Sequence, residues 1–443
     1  EPEPEPPPEH STPSPSPSLE LPAMDKRTPL RLSSWTALLV SYPDREQANF
    51  IIRTLERGAD IRFRGNTRRS DTPSNLKTAA QHKEHVTAYI KEEVALGRML
   101  GPFAEPPFEF FRTSPVGVVP KDHTKFRVIN HLSFPRTGDS INSDLEPLEC
   151  NLGSFDEAIK LVKMAGPGSN LIKVDVKSAF RLIPVRREDI NLLGVEWQGK
   201  YYVDICLPFG LATSPPIWER FSRVLRWALQ HVAGIKLVTH YVDDFFIVVP
   251  KQEGDAEVTM KKALALFEWL GVPYSPAKLL GPATSMPYLG IGIDTDRMVT
   301  FVTPDKLNAI IDLLHSVLES SHIQRTQLQA VLGKLYFLTR ILPQGRAFLR
   351  RGISMLYGKK TARISSIPMS EGFRKDLAWW LRFLPRWDGL SMFFDAEPAA
   401  DAPTIYTDAS LLAAGASFDN HWFAYPWQAT HKADAMRIKR ISM

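Results

Sequence analysis

Two adjacent carboxylates, Asp243 and Asp244, stand in the middle of the apolar stretch LVTHYVDDFFIVV. Unpaired buried carboxylates cost several kcal/mol each or else take up a proton. A divalent cation reverses that logic, because it favours the ionised forms and shares its other positions with water and phosphate oxygens. Mg²⁺ prefers oxygen ligands and commonly takes one or two carboxylates; Mn²⁺ accepts the same donors. Successive residues of a strand face opposite ways, so both Asp can approach one metal cluster only at a tight turn between strands. Leu237–Tyr241 and Phe245–Val249 read as those strands, although no Gly or Asn marks the turn. A third carboxylate has to come from elsewhere, and LIKVDVKSAFRLIPV supplies Asp175 at the end of the apolar run Leu171–Val174. Asp175, Asp243 and Asp244 would hold two metal ions about 3.5–4 Å apart, clamping the attacking and leaving oxygens of an in-line phosphoryl transfer. Taken singly, an Asp pair in a hairpin is a solvated turn and an Asp after a strand is a helix N-cap. The three together carry the chemistry.

Other segments could position a substrate against these carboxylates. Val116–Val119 and Phe126–Ile129 read as a hairpin around the polar turn Lys121–Thr124. Its Lys121, Lys125 and Arg127 could fold over a triphosphate, with the planar Arg fork suited to bidentate phosphate contact. Gly210, in PFGL, offers backbone without a side chain where a substrate must come close. An apolar-periodic helix follows, marked by Trp218, Phe221, Val224 and Leu225. Upstream, Ala48–Leu55 and His85–Leu100 show helical patterns. Downstream, Thr303 can cap a helix that has Pro304 in its first turn and Leu307, Ile310, Ile311, Leu314, Val317 and Leu318 on one face. A second helix aligns Leu328, Val331, Leu332, Leu335 and Leu338, leaving Lys334 and Arg340 for phosphates. Trp379, Trp380, Phe383 and Trp387 could stack bases, but their spacing also suits helix core.

The 443 residues, 44% hydrophobic, can bury a large core divided into two or three domains. Net charge is +5, yet residues 1–22 carry five Glu and no Lys or Arg, so the rest is more basic still. Between Arg325 and Arg386 there are 13 Lys or Arg against Glu371 and Asp376. Such a field favours a polyanion as partner. Cys150 and Cys206 are the only cysteines, too few for a zinc knuckle or a disulfide scaffold and consistent with an intracellular, reducing setting. No apolar run approaches 18 residues, so no membrane span is expected. The chain opens on Glu1 without a secretory signal and reads as part of a longer polypeptide.

In order along the chain, SPVGVVPKDHTKFRVIN, KVDVKSAF, LPFGLATSPPIWERF, HYVDDFF, GVPYSPAKLLGP and PYLGIGID resemble the successive motifs of the reverse transcriptase family. The resemblance covers most of the chain from about Thr28. It implies an α+β right-hand polymerase with fingers, palm and thumb, acting on an RNA template, a DNA primer and dNTPs with two Mg²⁺ ions. It further implies that Arg127, with Lys121, binds the triphosphate and that Phe180 is the gate beneath the incoming sugar, leaving no room for a 2′-hydroxyl. Phe209 and Gly210 would contact the nucleotide, and Lys278 would pass a proton to departing pyrophosphate. Phe209 stands where some family members have glutamine, which removes one polar contact. INHLSFPRTGDSIN, LGKLYFLTRILPQGRAFLRR and FRKDLAWWLRFLPRWDG look most like retroelements of the DIRS type, which encode a tyrosine recombinase, with gypsy-type enzymes second.

The expected organisation is a disordered Pro/Glu/Ser-rich tail over 1–27, a helical region over 28–100, fingers and palm over 101–300, and a helical thumb and connection over 301–390. Residues 403–443 form a truncated RNase H-like segment. There APTIYTDASLLAAGASF resembles the opening hairpin of an RNase H domain with Asp408 as a first metal ligand, but no Glu follows Glu397. RNase H activity is therefore expected to be absent. A competing reading is a catalytically silent nucleic-acid-binding remnant; a weaker one is an RNA-templated RNA polymerase, against which Phe180 argues.

Overall fold

The apolar run Leu171–Val174 becomes the strand Asn170–Asp175, and it sits inside a four-stranded antiparallel sheet rather than at its edge. The strand order is Val238–Tyr241, Asp244–Val249, Asn170–Asp175, Leu280–Ala283. Phe245 to Val249 and Leu171, Ile172 and Val174 are all buried, which explains why these strands are near-continuous apolar runs rather than alternating ones. Helices Phe155–Ala165 and Ser214–His231 pack against the sheet. In the second of these, Trp218, Phe221, Val224 and Leu225 are fully buried, as the helical spacing predicts. A second sheet, of Ser285–Tyr288, Ile291–Asp294, Val299–Phe301 and Leu390–Met392, adjoins the first; Tyr288 stacks on Phe246 with ring centroids 4.5 Å apart.

The computed structural model describes residues 19–120, 126–358, 364–393, 404–410, 412–418 and 420–427. The chain divides into two compact units between Met392 and Phe393. In the second unit, Tyr406–Ala409, Ala413–Phe418 and His421–Pro426 form a three-stranded antiparallel sheet, with Asp408 on its first strand. Among the described residues no helix is long and apolar enough to cross a membrane.

Several boundaries differ from the sequence expectations. The tail was expected to extend to residue 27, but Met24–Arg27 is a helical turn, and Arg27, 5% exposed, donates to the carbonyls of Val185 and Ile205 at 2.5 and 2.8 Å. A buried guanidinium bonded to two carbonyls belongs to the folded body. The helical pattern of His85–Leu100 ends at Ala95: Gly97 turns the chain at φ 67°, and Met99–Phe103 becomes a strand pairing with Lys200–Asp204. The first strand of the Asp hairpin starts at Val238, and the second already includes Asp244. Thr303 stands at the N-cap of helix Pro304–Leu318, with Pro304 at its start, yet its side chain makes no capping bond.

The second of the two apolar faces past residue 303 forms as expected, and the first in most of its residues. Leu307, Ile310, Leu314 and Val317 are buried, with Ile311 and Leu318 of the expected face half-buried; Leu328, Val331, Leu332, Leu335 and Leu338 are buried in helix Arg325–Leu338, where Lys334 is exposed, and Arg340 is exposed just past its end. Helices Arg350–Tyr357 and Glu371–Phe383 complete this helical region.

One polar cluster ties three of these parts together. Arg181, 1% exposed, donates from Nε to Glu93 at 2.8 Å, meets Asp204 at 2.6 Å and donates to the Cys206 carbonyl at 3.1 Å. Burial pushes the Asp204 carboxyl up to about 6, with Arg181 pulling the other way. Removing the cation would strand two buried carboxylates, a loss of about 3–5 kcal/mol. Arg181→Met is therefore expected to lower unfolding stability by about that amount in urea denaturation. Arg181→Lys should recover only part of it, because an ammonium cannot reproduce the planar fork.

Candidate active site

The turn between Tyr241 and Asp244 has no Gly or Asn, yet it places Val242 in the left-handed region, at φ 57°. A β-branched residue pays for that conformation with strain, of order 1–3 kcal/mol, and needs surrounding structure to hold it. The Val242 carbonyl accepts two hydrogen bonds, from Trp218 Nε1 at 2.9 Å and from Ser222 Oγ at 2.9 Å. These two side chains, four residues apart on helix Ser214–His231, present themselves on one face. The same helix offers Glu219, whose carboxylate lies 3.2 Å from Nε2 of His240, one strand position before Tyr241; both residues are buried. The helix thus grips the hairpin at its turn and along its first strand.

Asp243 occupies the turn, and its carbonyl accepts from Val176 N–H at 2.8 Å, tying it to the end of the Asp175 strand. Asp175 and Asp244 are direct cross-strand partners. The structure therefore brings the three predicted carboxylates to one end of one sheet. Burial pushes the Asp243 carboxyl up to about 6, with the negative charges of Asp244 and then Asp175 adding to the rise. Among the described residues no three Asp, Glu, His or Cys side chains stand arranged to hold a metal ion. Two ammonium groups engage the acidic side chains instead. Lys278 Nζ donates to both carboxylate oxygens of Asp175, at 2.9 and 2.8 Å, and Lys173 Nζ lies 3.0 Å from Asp244 Oδ1. The Asp175 hydrogen bond holds the Lys278 pKa above its ordinary value.

The remaining predicted residues fall around this cluster. Phe180 lies five residues past Asp175, half-buried, with its ring 5.4 Å from that of Phe209, which is 41% exposed. Gly210 has a cause within the protein: its φ is +99°, and a Cβ there would lie 2.4 Å from the Asn130 carbonyl oxygen. Arg127 stands exposed on the hairpin of Val116–Pro120 and Phe126–Asn130, opposite Val119. Lys121 and Lys125 lie outside the described residues.

Sequence reasoning passed over Trp218 and Ser222 as clamps, Lys173 as an ion-pair partner and the His240–Glu219 pair. A buried Trp needs a partner for its indole N–H, and Lys173 interrupts an otherwise apolar strand. Those were the available signals.

Residues 119–293 match the family described as reverse transcriptase (RNA-dependent DNA polymerase). Lys121, Arg127, Asp175, Phe180, Phe209, Gly210, Asp243, Asp244 and Lys278 all fall within that span. Residues 119–293 are a reverse transcriptase domain. The chain is 28% identical to the Gag-Pro-Pol polyprotein of bovine leukemia virus (isolate Australian) over 199 residues, 42% of this chain. It is 28% identical to the Pro-Pol polyprotein of feline foamy virus over 172 residues, 38% of this chain. In both cases it spans 13% of the relative's length. The fold of the foamy viral protease-reverse transcriptase, solved in complex with double-stranded DNA, superposes with a TM-score of 0.57 at 16% identity, covering 95% of this chain and 71% of that one. A second such complex gives 0.55 at 15% identity, covering 94% of this chain and 83% of that one. The reverse transcriptase domain is thus of the retroelement and retrovirus type, on a right-hand polymerase fold.

Asp243 gives the domain a measurable electrostatic strain. A carboxyl raised from 3.8 to about 6 on folding contributes stability below pH 4 that is lost as pH rises through 6, worth about 1–3 kcal/mol. Asn cannot ionise. In metal-free buffer Asp243→Asn should therefore exceed the wild type in unfolding stability at pH 7.5 by about that amount, with the advantage gone below pH 4, as thermal denaturation across pH would read.

Proposed function

We propose that this chain is an RNA-directed DNA polymerase, adding dNTPs to a primer 3′-hydroxyl on an RNA template. The observation that carries this reading is the Val242 turn, which puts Asp243 beside the Asp175–Asp244 pair within a reverse transcriptase domain. The donors suit Mg²⁺, with Mn²⁺ accepted: all are hard carboxylate oxygens, and a cation would relieve the burial and repulsion that hold Asp243 near 6. Asp175 and Asp243 would hold the ions, with Asp244 supporting them. When bound, two such ions supply Lewis-acid neutralisation of charge at the reacting phosphate.

The protein's own side chains supply positioning. Arg127, with Lys121, binds the triphosphate through paired phosphate contacts. The Phe180 ring, buttressed by Phe209, closes the space a 2′-hydroxyl would need, and Gly210 lines the same floor. Lys278, held protonated by Asp175, gives its proton to departing pyrophosphate once that carboxylate is otherwise engaged. Lys334, exposed on helix Arg325–Leu338, and Arg340, exposed just past its end, grip backbone phosphates without reading sequence. Inside the cell, such an enzyme would serve a retroelement. The DIRS type is proposed from INHLSFPRTGDSIN, LGKLYFLTRILPQGRAFLRR and FRKDLAWWLRFLPRWDG, and a tyrosine recombinase frame in the flanking genome would test it.

Primed poly(rA) with dTTP and Mg²⁺ should be extended by the wild type. Asp243→Asn should lose at least about a thousandfold in rate, the scale on which catalytic groups fail, while binding the duplex as before. Phe180→Ala should gain ribonucleotide incorporation. Duplex binding with no incorporation by the wild type would instead mark a silent remnant, and undiminished synthesis by Asp243→Asn would rule out the carboxylate assignment.

A further inference from the structure

The aromatic residues of the 371–387 segment divide into two populations. Trp380 is fully buried and belongs to the core. Trp379, Phe383 and Trp387 are half-buried, and with Phe348 they form a ladder of four rings. Phe348 stacks on Trp379 at 3.8 Å with the planes 9° apart, and Trp379 stacks on Phe383 at 5.1 Å and 5°. The last step is different: Phe383 and Trp387 stand 6.1 Å apart with the planes tilted by 30°. At 6.1 Å these rings are offset and tilted rather than stacked face to face, and the Trp387 indole is fixed by donating its N–H to the Leu390 carbonyl at 2.7 Å.

Trp379, Arg382, Phe383, Arg386 and Trp387 line a cleft of about 400 Å³ at this end of the ladder, within the roughly 300–1,000 Å³ of ligand clefts. Arg382 and Arg386 are exposed, one helical turn apart, and neither has an acidic partner among the described residues. A core needs no paired arginines at the mouth of a cleft floored by aromatic rings. Flat, sequence-tolerant stacking faces beside free guanidinium groups are what a nucleic acid strand with unpaired bases requires.

We propose that this cleft binds a single-stranded nucleic acid segment, one base stacking on Trp387 at the Phe383 step and its flanking phosphates pairing with Arg382 and Arg386. Duplex bases, already stacked, cannot enter it. The site lies on the helical region that follows the reverse transcriptase domain, outside residues 119–293. The identity of the strand as template or product overhang rests on the polymerase reading; the binding itself does not.

The test uses the whole chain and fluorescence anisotropy with labelled oligo(dT), oligo(rU) and a blunt primer-template duplex. Trp387→Ala should weaken single-strand binding about 5- to 150-fold, the loss of one base stack, and change duplex binding less than about twofold. Trp387→Phe should restore most of the loss, which a variant merely damaged in folding would not allow. Replacing Arg382 and Arg386 with Ser should reduce the slope of log affinity against log salt by about 1.4, at about 0.7 per phosphate on single strands. The ratio of the two oligonucleotides separates DNA from RNA as the occupant. Unchanged single-strand binding by Trp387→Ala, or equal loss on the duplex, would overturn the proposal. Wild-type chain that binds both strands but never extends a primer would overturn only the polymerase reading.

Discussion

Three carboxylates gathered at the end of one buried sheet repel one another, and much of the surrounding architecture acts against that repulsion. Asp175 and Asp244 are locked opposite each other by strand register, so neither can retreat without breaking the ladder. Asp243 is held by the Val242 turn, whose carbonyl is gripped by Trp218 and Ser222, and by its own carbonyl bond to Val176. Burial then raises the Asp243 carboxyl to about 6 rather than letting solvent screen it. The ammonium groups of Lys278 and Lys173 each neutralise one neighbour, leaving Asp243 as the carboxylate with the greatest unmet demand for positive charge.

That arrangement sets stability against function within a few residues. A chain selected for stability alone would place Gly or Asn at 242 and a neutral side chain at 243, removing both a strained φ and a buried charge. The helix that holds the turn is correspondingly over-built. Trp218, Phe221, Val224 and Leu225 are fully buried, Trp35 meets Phe221 edge-on at 5.4 Å, and Glu219 reaches His240 behind the turn. The rigidity needed to hold an unfavourable turn comes from packing around it, not from the turn residues.

This division explains what could be read from the sequence. The carboxylates were legible because Asp is costly amid Val, Ile and Phe, and the two helices past residue 303 because Leu307–Val317 and Leu328–Leu338 keep a strict helical period. The clamp was not, because Trp218 and Ser222 act on a backbone carbonyl, and nothing in a side-chain pattern marks which carbonyl needs them. Gly210 was read as making room for substrate, whereas its φ of +99° and the approach of the Asn130 carbonyl already require glycine. Helix ends were misplaced where long-range pairing overrode local propensity, as when Met99 and Leu100 left a helical pattern to pair with Asp204 and Val203. Arg27 was assigned to the tail because its carbonyl partners, at Val185 and Ile205, are more than 150 residues away.

Asn130 joins the segments that carry three other residues singled out from the sequence, Arg127, Phe180 and Gly210. It ends the hairpin strand that carries Arg127, its side chain donates to Asp204 at 3.1 Å, and its carbonyl packs against Gly210. Asp204 in turn meets Arg181, the residue after Phe180. The hairpin of Arg127, the segment of Phe180 and the loop of Gly210 therefore share one buried hub, 0% exposed at Asp204 and 1% at Arg181. A rearrangement of any one of them has to move a charged pair that has no solvent to move into. Relative placement of these elements is consequently set by an ion pair in the interior, while Arg127, three residues out along the strand, lies exposed at the surface.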